Sequence, residues 1–321
     1  YSHFKRPADI TTLPAALRLR LDANLPESLI EVRRETSEDG DTVKFLWHLL
    51  EGNHPIETVL MYYEERATVC VSTQAGCAMA CGFCATGQAG FNRHLSAGEI
   101  VEQVVRAARE AATKGRRIDN IVFMGMGEPL ANEPNVWAAV ERIHGDIGIS
   151  ARHLTISTVG IVPGIRALTK RPLPVNLAVS LHAARDSLRD ELVPINTRYP
   201  LDMLIDTCKE YLIEKRRRVT FEWALIDRVN DTDRDAHELA ELCFRLTPAA
   251  HVNLIPLNPT PGWPTTGSSP GRVAAFQKIL RDLGVNATTR QNRGTEIAAA
   301  CGQLAAGQPV VVKLDSSRTP K

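Results

Sequence analysis

The sequence predicts an α/β fold in which strands and helices alternate to form a partial (β/α)6 TIM-like barrel. The first observation is periodicity, because from residue 67 to residue 283 short apolar runs alternate with longer amphipathic runs. The second is composition, since 321 residues with 44% hydrophobic side chains can bury a substantial core. The third is that motif-like segments follow predicted strands. Such alternation implies a parallel sheet with right-handed crossovers.

Two short regions precede the barrel. Residues 1–40 are polar, with leucines at helix-compatible spacing, and predict a small helical lead-in. Residues 41–66 contain β-rich runs at 42–50 and 56–63 and predict a β extension. The leucines of the lead-in are Leu13, Leu17, Leu21 and Leu25.

The barrel elements follow in alternation. We predict six strands, at 67–73, 118–124, 153–158, 174–180, 218–225 and 250–255. We predict helices at 96–113, 133–145, 162–170, 201–214, 232–246 and 270–283. The clearest helix start is Ser96 with Glu99 three residues later, the pattern of a capping box. In a barrel of this kind the chemistry lies at the C-terminal ends of the strands.

Composition and charge exclude several classes of protein. Charged residues make up 23% of the chain, and 38 Lys and Arg against 37 Asp and Glu leave a net charge of +1. These values argue against disorder and against a strongly basic nucleic-acid coat. The sequence contains no apolar run of membrane-spanning length and no signal-peptide core near its start, so we expect a cytoplasmic protein without a membrane partner.

The cysteines carry the sharpest signal. The chain has seven, an odd number, and four of them lie between residues 70 and 84, which in a reducing compartment indicates metal or redox chemistry. Cys77, Cys81 and Cys84 form C-x3-C-x2-C on one loop, whereas Cys70 lies on the preceding strand and is a poor fourth ligand. A structural zinc site favours four ligands. A [4Fe-4S] cluster held by three cysteines keeps one iron open for a substrate or cosubstrate.

Polar motifs follow other predicted strands. Each residue alone is typical of a cap or a turn, and His182 alone of a structural histidine. Their convergence on one face of the barrel predicts an active site. The residues are Gly127, Glu128, Ser157, Ser180, Leu181, His182 and Asn258.

The cysteine loop, with Phe83 before Cys84, resembles the cluster motif of radical S-adenosylmethionine (radical SAM) enzymes. The resemblance implies a barrel of the radical SAM type, with Cys77, Cys81 and Cys84 binding one [4Fe-4S] cluster. S-adenosylmethionine would bind the open iron and be split to a 5'-deoxyadenosyl radical. Gly127 and Glu128 are implied to contact its methionine amino group.

Longer strings resemble one family within that superfamily, the dual-specificity methyltransferases that act on carbon 2 of adenine in 23S rRNA and tRNA. The resemblance implies that residues 1–40 are the remnant of an N-terminal helical RNA-binding domain and that 41–66 are a β extension. Residues 67–305 would be the radical SAM barrel with a C-terminal catalytic loop, and 306–321 a tail. The matching strings lie at 74–77, 83–93, 124–130, 180–182, 254–258 and 293–304.

The family chemistry implies roles for three further residues. Carbon 2 of adenine is electrophilic, so simple methyl displacement does not alkylate it and radical chemistry is needed. Cys301 would be methylated by one S-adenosylmethionine, and a second would supply the radical, giving two per turnover. Cys70 would then form a disulfide with Cys301 and release the RNA. Glu57 matches the family's base, although Glu64 and Glu65 lie nearby and Cys70 is an alternative base.

The resemblance also implies the remaining partners. Ser157, Ser180, Leu181, His182 and Asn258 align with positions that contact the ribose and adenine of S-adenosylmethionine. The substrates would be 23S rRNA and tRNA, the electron donor a low-potential flavodoxin or ferredoxin, and the protein a monomer. Candidate phosphate contacts are 114–117, 215–218, Arg290 and Arg293.

Three alternatives stay open. A related group methylates carbon 8 of adenine in ribosomal RNA and confers antibiotic resistance. A non-catalytic RNA-binding or zinc-binding protein could retain the fold. A radical enzyme acting on a small molecule is the third, and the string around Cys301 argues against it.

Overall fold

A computed structural model of the chain describes residues 4–258 and 266–290. Its main feature is a ten-stranded sheet in the order β1-β2-β3-β4-β7-β8-β9-β10-β11-β12, with β5 and β6 forming a separate hairpin. The strands are β1 Leu29–Thr36, β2 Thr42–Leu49, β3 Pro55–Tyr62, β4 Ala67–Cys70, β5 Gln74–Gly76, β6 Phe91–His94, β7 Asn120–Phe123, β8 Leu154–Thr158, β9 Asn176–Ser180, β10 Val219–Leu225, β11 His251–Pro256 and β12 Ala287–Thr289.

The helices follow one another between the strands of the parallel part, except the first, which precedes β1. They are α1 Ala15–Asn24, α2 Ala85–Gln88, α3 Ala97–Thr113, α4 Glu133–Arg142, α5 Val162–Lys170, α6 Asp186–Leu192, α7 Leu201–Lys215, α8 Asp233–Phe244 and α9 Pro270–Asp282. In the described residues no helix is long and apolar enough to cross a membrane.

The sheet has two parts that meet at β4. Strands β1 to β4 pair antiparallel, and every pair from β4–β7 to β11–β12 is parallel. Each crossover in the parallel part leads to the neighbouring strand, so the sheet winds in one direction. Within the described residues the two end strands, β1 and β12, do not pair with each other. The predicted partial α/β barrel is therefore confirmed.

Two sequence predictions about the elements were wrong. Residues 1–40 do not form only helix: α1 is present, but 29–36 form β1, which pairs antiparallel with β2. Its alternation of Ile30 and Val32 with charged residues is a strand pattern, and exposed charges on an edge strand discourage pairing with other chains. The parallel part has seven strands in the described residues, not six, because the three-residue β12 is too short to leave a sequence signal.

Helix α3 fixes the strands that lead into the cysteine loop. Its predicted capping box is confirmed, since Ser96 Oγ accepts a hydrogen bond from the Glu99 amide and Glu99 Oε2 accepts one of 2.8 Å from the Ser96 amide. Gln103, fully buried on this helix, accepts hydrogen bonds from the Thr58 hydroxyl (2.9 Å) and the Ser72 amide (2.8 Å). One helix side chain thus joins β3 to the segment that follows β4.

Candidate active site

A cavity of about 210 Å³ opens at the C-terminal ends of the parallel strands. Two groups of residues form much of its polar and thiol lining. We call the first the cysteine wall, which consists of Cys77, Cys81 and Cys84. We call the second the strand-end wall, which consists of Glu128, Ser157, Ser180, His182 and Glu222. Eight of the predicted metal-binding and cosubstrate-binding residues line this one cavity, namely Cys77, Cys81, Cys84, Gly127, Glu128, Ser157, Ser180 and His182.

The cysteine wall is shaped by glycines. Gly76 has φ +76°, and a Cβ atom there would lie 2.0 Å from the Gly90 carbonyl oxygen, so the position requires glycine. The same oxygen accepts a 2.7 Å hydrogen bond from the Cys77 amide, which attaches the loop to the β5–β6 hairpin. A Cβ atom at Gly87 would lie 2.8 Å from the Cys81 carbonyl oxygen. The backbone of the loop therefore packs tightly on both sides of its cysteines.

The thiols of this wall are suited to a group of high positive charge. Burial raises the pKa of Cys77 to about 12 and that of Cys81 further still, with the neighbouring Cys84 adding to both effects. Such thiols become thiolates when a metal centre stabilises the anion. The described part of the chain contains no group of three or more His, Cys, Asp or Glu side chains placed to hold a single metal ion. Three cysteines on one loop fit an iron–sulfur cluster with one open iron, whereas a structural zinc site takes four ligands.

Glu128 holds the loop after β7 against the end of β8. Its carboxylate accepts hydrogen bonds from the Leu130 amide (3.0 Å) and the Val159 amide (2.8 Å). Its own amide donates one of 2.8 Å to Gln74 Oε1, next to the cysteine loop. Burial raises the pKa of Glu128 to about 7 in spite of these hydrogen bonds. The side chain thus positions the loop, and Gly127 lies beside it with φ +100°.

His182 is held in one orientation by backbone groups. Its Nδ1 accepts a 3.0 Å hydrogen bond from the Ala224 amide, and its carbonyl accepts one of 2.8 Å from the Asn230 side chain. Burial lowers the pKa of His182 to about 3. Because an amide can only donate, the neutral ring carries its proton on Nε2. The ring also makes an edge contact with Phe83, with centroids 4.9 Å apart, which joins the two walls.

Arg189 is a positioning residue that the sequence did not reveal. Its fully buried guanidinium donates hydrogen bonds to the carbonyl groups of Val159 (2.7 Å), Ser180 (3.2 Å) and Leu181 (3.0 Å). It also donates one of 2.7 Å to Asn196 Oδ1. Burial lowers the pKa of Arg189 to about 10, so the group stays charged at neutral pH. Arg189 thereby holds together the ends of β8 and β9.

Glu222 is a second residue that sequence reasoning missed. It lies inside β10, opposite Ser180 of β9, and its buried carboxylate accepts a 2.8 Å hydrogen bond from Asn253 Nδ2. Burial raises the pKa of Glu222 to about 7, while the charge of Arg290 acts in the opposite direction. In the sequence it stands within an apolar strand and no local motif marks it.

Other predicted residues lie outside the described lining of the cavity. Glu57 on β3 forms a buried ion pair with Lys44 of β2, with Nζ and Oε2 3.0 Å apart. Cys70 on β4 is 4% exposed and packs among apolar side chains of β3 and β7. Leu181 is fully buried in the core, and Asn258 is half-buried two residues after β11. Cys301 and Arg293 lie outside the described residues.

The basic segments are not grouped around the cavity. Residues 114–117 precede β7 and residues 215–218 precede β10, so both lie at the N-terminal edge of the parallel strands, opposite the cavity. Lys114 lies over the Tyr62 ring, and the Arg116 side chain donates a 2.7 Å hydrogen bond to the Tyr63 carbonyl. Arg290, in contrast, lines the cavity. Of the candidate phosphate contacts in the described residues, Arg290 is the one at the site.

Comparison with known proteins agrees with this geometry. Residues 71–240 match the family model of the Radical SAM superfamily. A protein of Chloroflexus aurantiacus is 47% identical over 100% of this chain and 88% of its own length, and one of Frankia casuarinae is 53% identical over 94% and 73%. Both are named probable dual-specificity RNA methyltransferase RlmN. The crystal structure of a radical SAM methyltransferase from Sphaerobacter thermophilus is similar with a TM-score of 0.89 and 50% identity, covering 92% of this chain and 87% of that one.

Proposed function

Because the chain belongs to the dual-specificity RNA methyltransferase RlmN family of the radical SAM superfamily, we propose that it methylates carbon 2 of a specific adenosine in 23S rRNA and in tRNA. The observation that carries the proposal is the cavity, which a loop of three thiols lines together with polar side chains from three neighbouring strands and the loop after β7. The family name of relatives at about 50% identity supports RNA as the substrate. The electrophilic character of carbon 2 explains why a radical enzyme is needed.

Cys77, Cys81 and Cys84 would hold a [4Fe-4S] cluster, which when bound supplies the electron that cleaves S-adenosylmethionine. Burial raises the pKa of Cys77 and of Cys81, which favours a centre that neutralises the charge of their thiolates. A low-potential flavodoxin or ferredoxin would deliver the electron, and the protein would act as a monomer.

The strand-end wall would bind and orient S-adenosylmethionine. Gly127 and Glu128 would contact the methionine amino group, at the end of the cavity nearest the cysteine loop. The nucleoside half would extend over Ser157, Ser180, Leu181 and His182, with Asn258 at the adenine. The Nε2–H group of His182 is a fixed hydrogen-bond donor, because its Nδ1 is occupied by the Ala224 amide.

Cys301, Cys70 and Glu57 would carry the methyl transfer. Cys301 would take a methyl group from one S-adenosylmethionine, and the 5'-deoxyadenosyl radical from a second would abstract a hydrogen atom from it. After the methylene radical adds to carbon 2, the adduct would return one electron to the oxidised cluster and give up its carbon-2 proton to Glu57 or Cys70. The Cys70 thiolate would then attack the thioether sulfur and break its bond to the methylene carbon, which would take up a proton, giving a disulfide with Cys301 and methylated RNA. Lys44 Nζ, 3.0 Å from Glu57 Oε2, would hold this carboxylate in place.

The test of the function is an isotope experiment. Cluster-loaded protein is mixed without oxygen with methyl-deuterated S-adenosylmethionine, a reductant and protein-free 23S rRNA or tRNA, and the digested nucleosides are analysed by mass spectrometry. We expect deuterated 2-methyladenosine from both RNAs. Deuterated 8-methyladenosine would instead select the carbon-8 reaction, and cleavage of S-adenosylmethionine without any labelled nucleoside would contradict RNA as the substrate.

The role of Cys70 is tested by the variant Cys70→Ala. Without the resolving thiol the covalent protein–RNA adduct has no route to release, so we expect a crosslink that survives denaturing electrophoresis. Cys208→Ala, which removes a buried cysteine of α7, is the matched control and should release methylated RNA normally. Free, methylated RNA from Cys70→Ala would show that another group resolves the adduct.

A further inference from the structure

Glu222 is a carboxyl group in the strand-end wall that the steps above do not use. Its neighbours in the sheet are Ser180 on β9 and Asn253 on β11. The side chain is 5% exposed and lines the cavity. Among the described residues, the Asn253 amide is the one hydrogen-bond donor to this carboxylate, and it reaches Oε2. Oε1 therefore has no donor in the part of the chain that the structure describes.

A buried carboxylate with one neutral partner is costly to maintain. Desolvation disfavours the charged form unless several donors or a cation compensate, and buried polar groups are normally fully paired. Burial raises the pKa of Glu222 to about 7, and Arg290 offsets only part of this effect. A polar group left incompletely paired in a cavity wall is typical of a ligand contact.

The position of Glu222 indicates which part of a ligand it meets. The methionine end of S-adenosylmethionine would lie at the cysteine wall, whereas Glu222 lies beside Ser180, a residue that would contact the nucleoside half. The ribose is the part of this cosubstrate that presents two adjacent hydroxyl donors. Carboxylates that accept hydrogen bonds from ribose hydroxyls are a recurrent solution in nucleotide-binding folds. The sulfonium group has no donor, and adenine has donors only on its single exocyclic amino group, whereas the ribose offers two neighbouring hydroxyl groups.

We propose that Glu222 binds the ribose of S-adenosylmethionine, its carboxylate accepting hydrogen bonds from the 2' and 3' hydroxyl groups. The assignment rests on the proposed function, because it takes S-adenosylmethionine as the cosubstrate. Asn253 acts as a positioning residue, since its hydrogen bond to Oε2 orients the carboxylate and leaves Oε1 toward the ligand.

The test measures equilibrium binding to cluster-loaded protein in the absence of RNA and reductant. The ligands are S-adenosylmethionine and its 2'-deoxy and 3'-deoxy analogues, and the variants are Glu222→Gln and Glu222→Asp. We expect Glu222→Gln to weaken binding of S-adenosylmethionine about tenfold, as for loss of a charge-assisted hydrogen bond. The wild type should bind a deoxy analogue about tenfold more weakly than it binds S-adenosylmethionine. For that analogue, wild type and Glu222→Gln should have the same affinity. Glu241→Gln, an exposed carboxylate of α8, is the control and should behave as the wild type.

Iron content and the visible spectrum establish whether each variant keeps its cluster. If Glu222→Gln loses the cluster, the binding measurement is made with Glu222→Asp instead. Equal affinity of wild type and variant for S-adenosylmethionine would overturn the assignment of Glu222 but not the proposed function. The same would follow if removal of either ribose hydroxyl left the affinity of the wild type unchanged. Failure of the wild type to bind S-adenosylmethionine would overturn the proposed function together with the assignment.

Discussion

The two walls of the cavity are built in opposite ways. The cysteine wall comes from eight consecutive positions, Cys77 to Cys84, on a loop shaped by Gly76 and Gly87. The strand-end wall draws its residues from positions 128 to 222, on four strands or the loops after them. The first wall depends on local turns, and the second depends on the order and register of the sheet.

This difference separates two kinds of dependence on the rest of the fold. The cysteine wall needs its own hairpin and the hydrogen bond from the Cys77 amide to the Gly90 carbonyl. The strand-end wall needs distant residues such as Arg189, which holds three carbonyl groups at the ends of β8 and β9. Variants can therefore damage one wall and leave the other intact.

The largest effect is expected from breaking the cysteine wall. Cys84→Ala removes one of the three proposed cluster ligands, so we expect iron content to fall close to zero and methylation to be lost. Iron analysis and the visible spectrum of anaerobically reconstituted protein measure this. Cys243→Ala, which removes a buried cysteine of α8, should keep the wild-type iron content. A full complement of iron in Cys84→Ala would contradict the ligand assignment.

The second prediction breaks the strand-end wall while sparing the cysteine wall. Arg189→Met leaves buried carbonyl groups without donors, so we expect a loss of about 3 kcal/mol in the free energy of unfolding. Binding of S-adenosylmethionine should weaken while iron per protein stays unchanged, as measured by urea denaturation, equilibrium binding and iron analysis. Arg166→Met, which breaks an exposed pair with Glu210, should cost about 1 kcal/mol or less. Iron lost in parallel with binding would show that the walls are not independent.

The third prediction uses pH to isolate the buried carboxyls of the strand-end wall. The pKa of Glu128 and that of Glu222 rise from 4.5 to about 7 in the folded protein. Between these values the folded state binds more protons than the unfolded state, so the free energy of unfolding falls as pH rises. In Glu222→Gln the decrease in the free energy of unfolding over this pH range should be smaller by up to about 3 kcal/mol.

Urea denaturation of the cluster-free protein at about pH 5 and about pH 7.5 measures the effect. These two conditions cover most of the range between the pKa of the carboxyl in the unfolded protein and its pKa in the folded protein. Glu241→Gln, on the exposed face of α8, should leave the pH dependence unchanged. The same pH dependence in the wild type and Glu222→Gln would mean that Glu222 does not titrate in this range.

The smallest effect is expected where the walls touch. Phe83→Leu removes the edge contact with the His182 ring, which should cost about 1 kcal/mol beyond the change in buried area. A double-mutant cycle with His182→Ala measures the coupling by urea denaturation. Phe91→Leu is the control, because Phe91 is 43% exposed and pairs with His94 away from the cavity. Additive effects of the two substitutions would show that the contact does not couple the walls.

Much of the fold could be predicted because its signals are local. Helix α3 has an apolar stripe and the capping box of Ser96 and Glu99, and both are complete within its own segment. The alternation of strands and helices predicted the parallel sheet without any knowledge of contacts. β1 was missed because leucines at helical spacing precede it, and β12 because its length is three residues.

For this protein the sequence alone determined the cysteine wall, the class of fold and the loops on which Glu128 and His182 lie. It did so because ligand spacing, periodicity and turn residues are properties of short segments. Only the tertiary structure decided that Arg189 is a buried clamp, that Glu57 pairs with Lys44 and that Glu222 faces the cavity beside Ser180. Burial and pairing partners depend on which distant segments the sheet brings together, and a charged residue in the sequence does not show whether it will face water or a cavity.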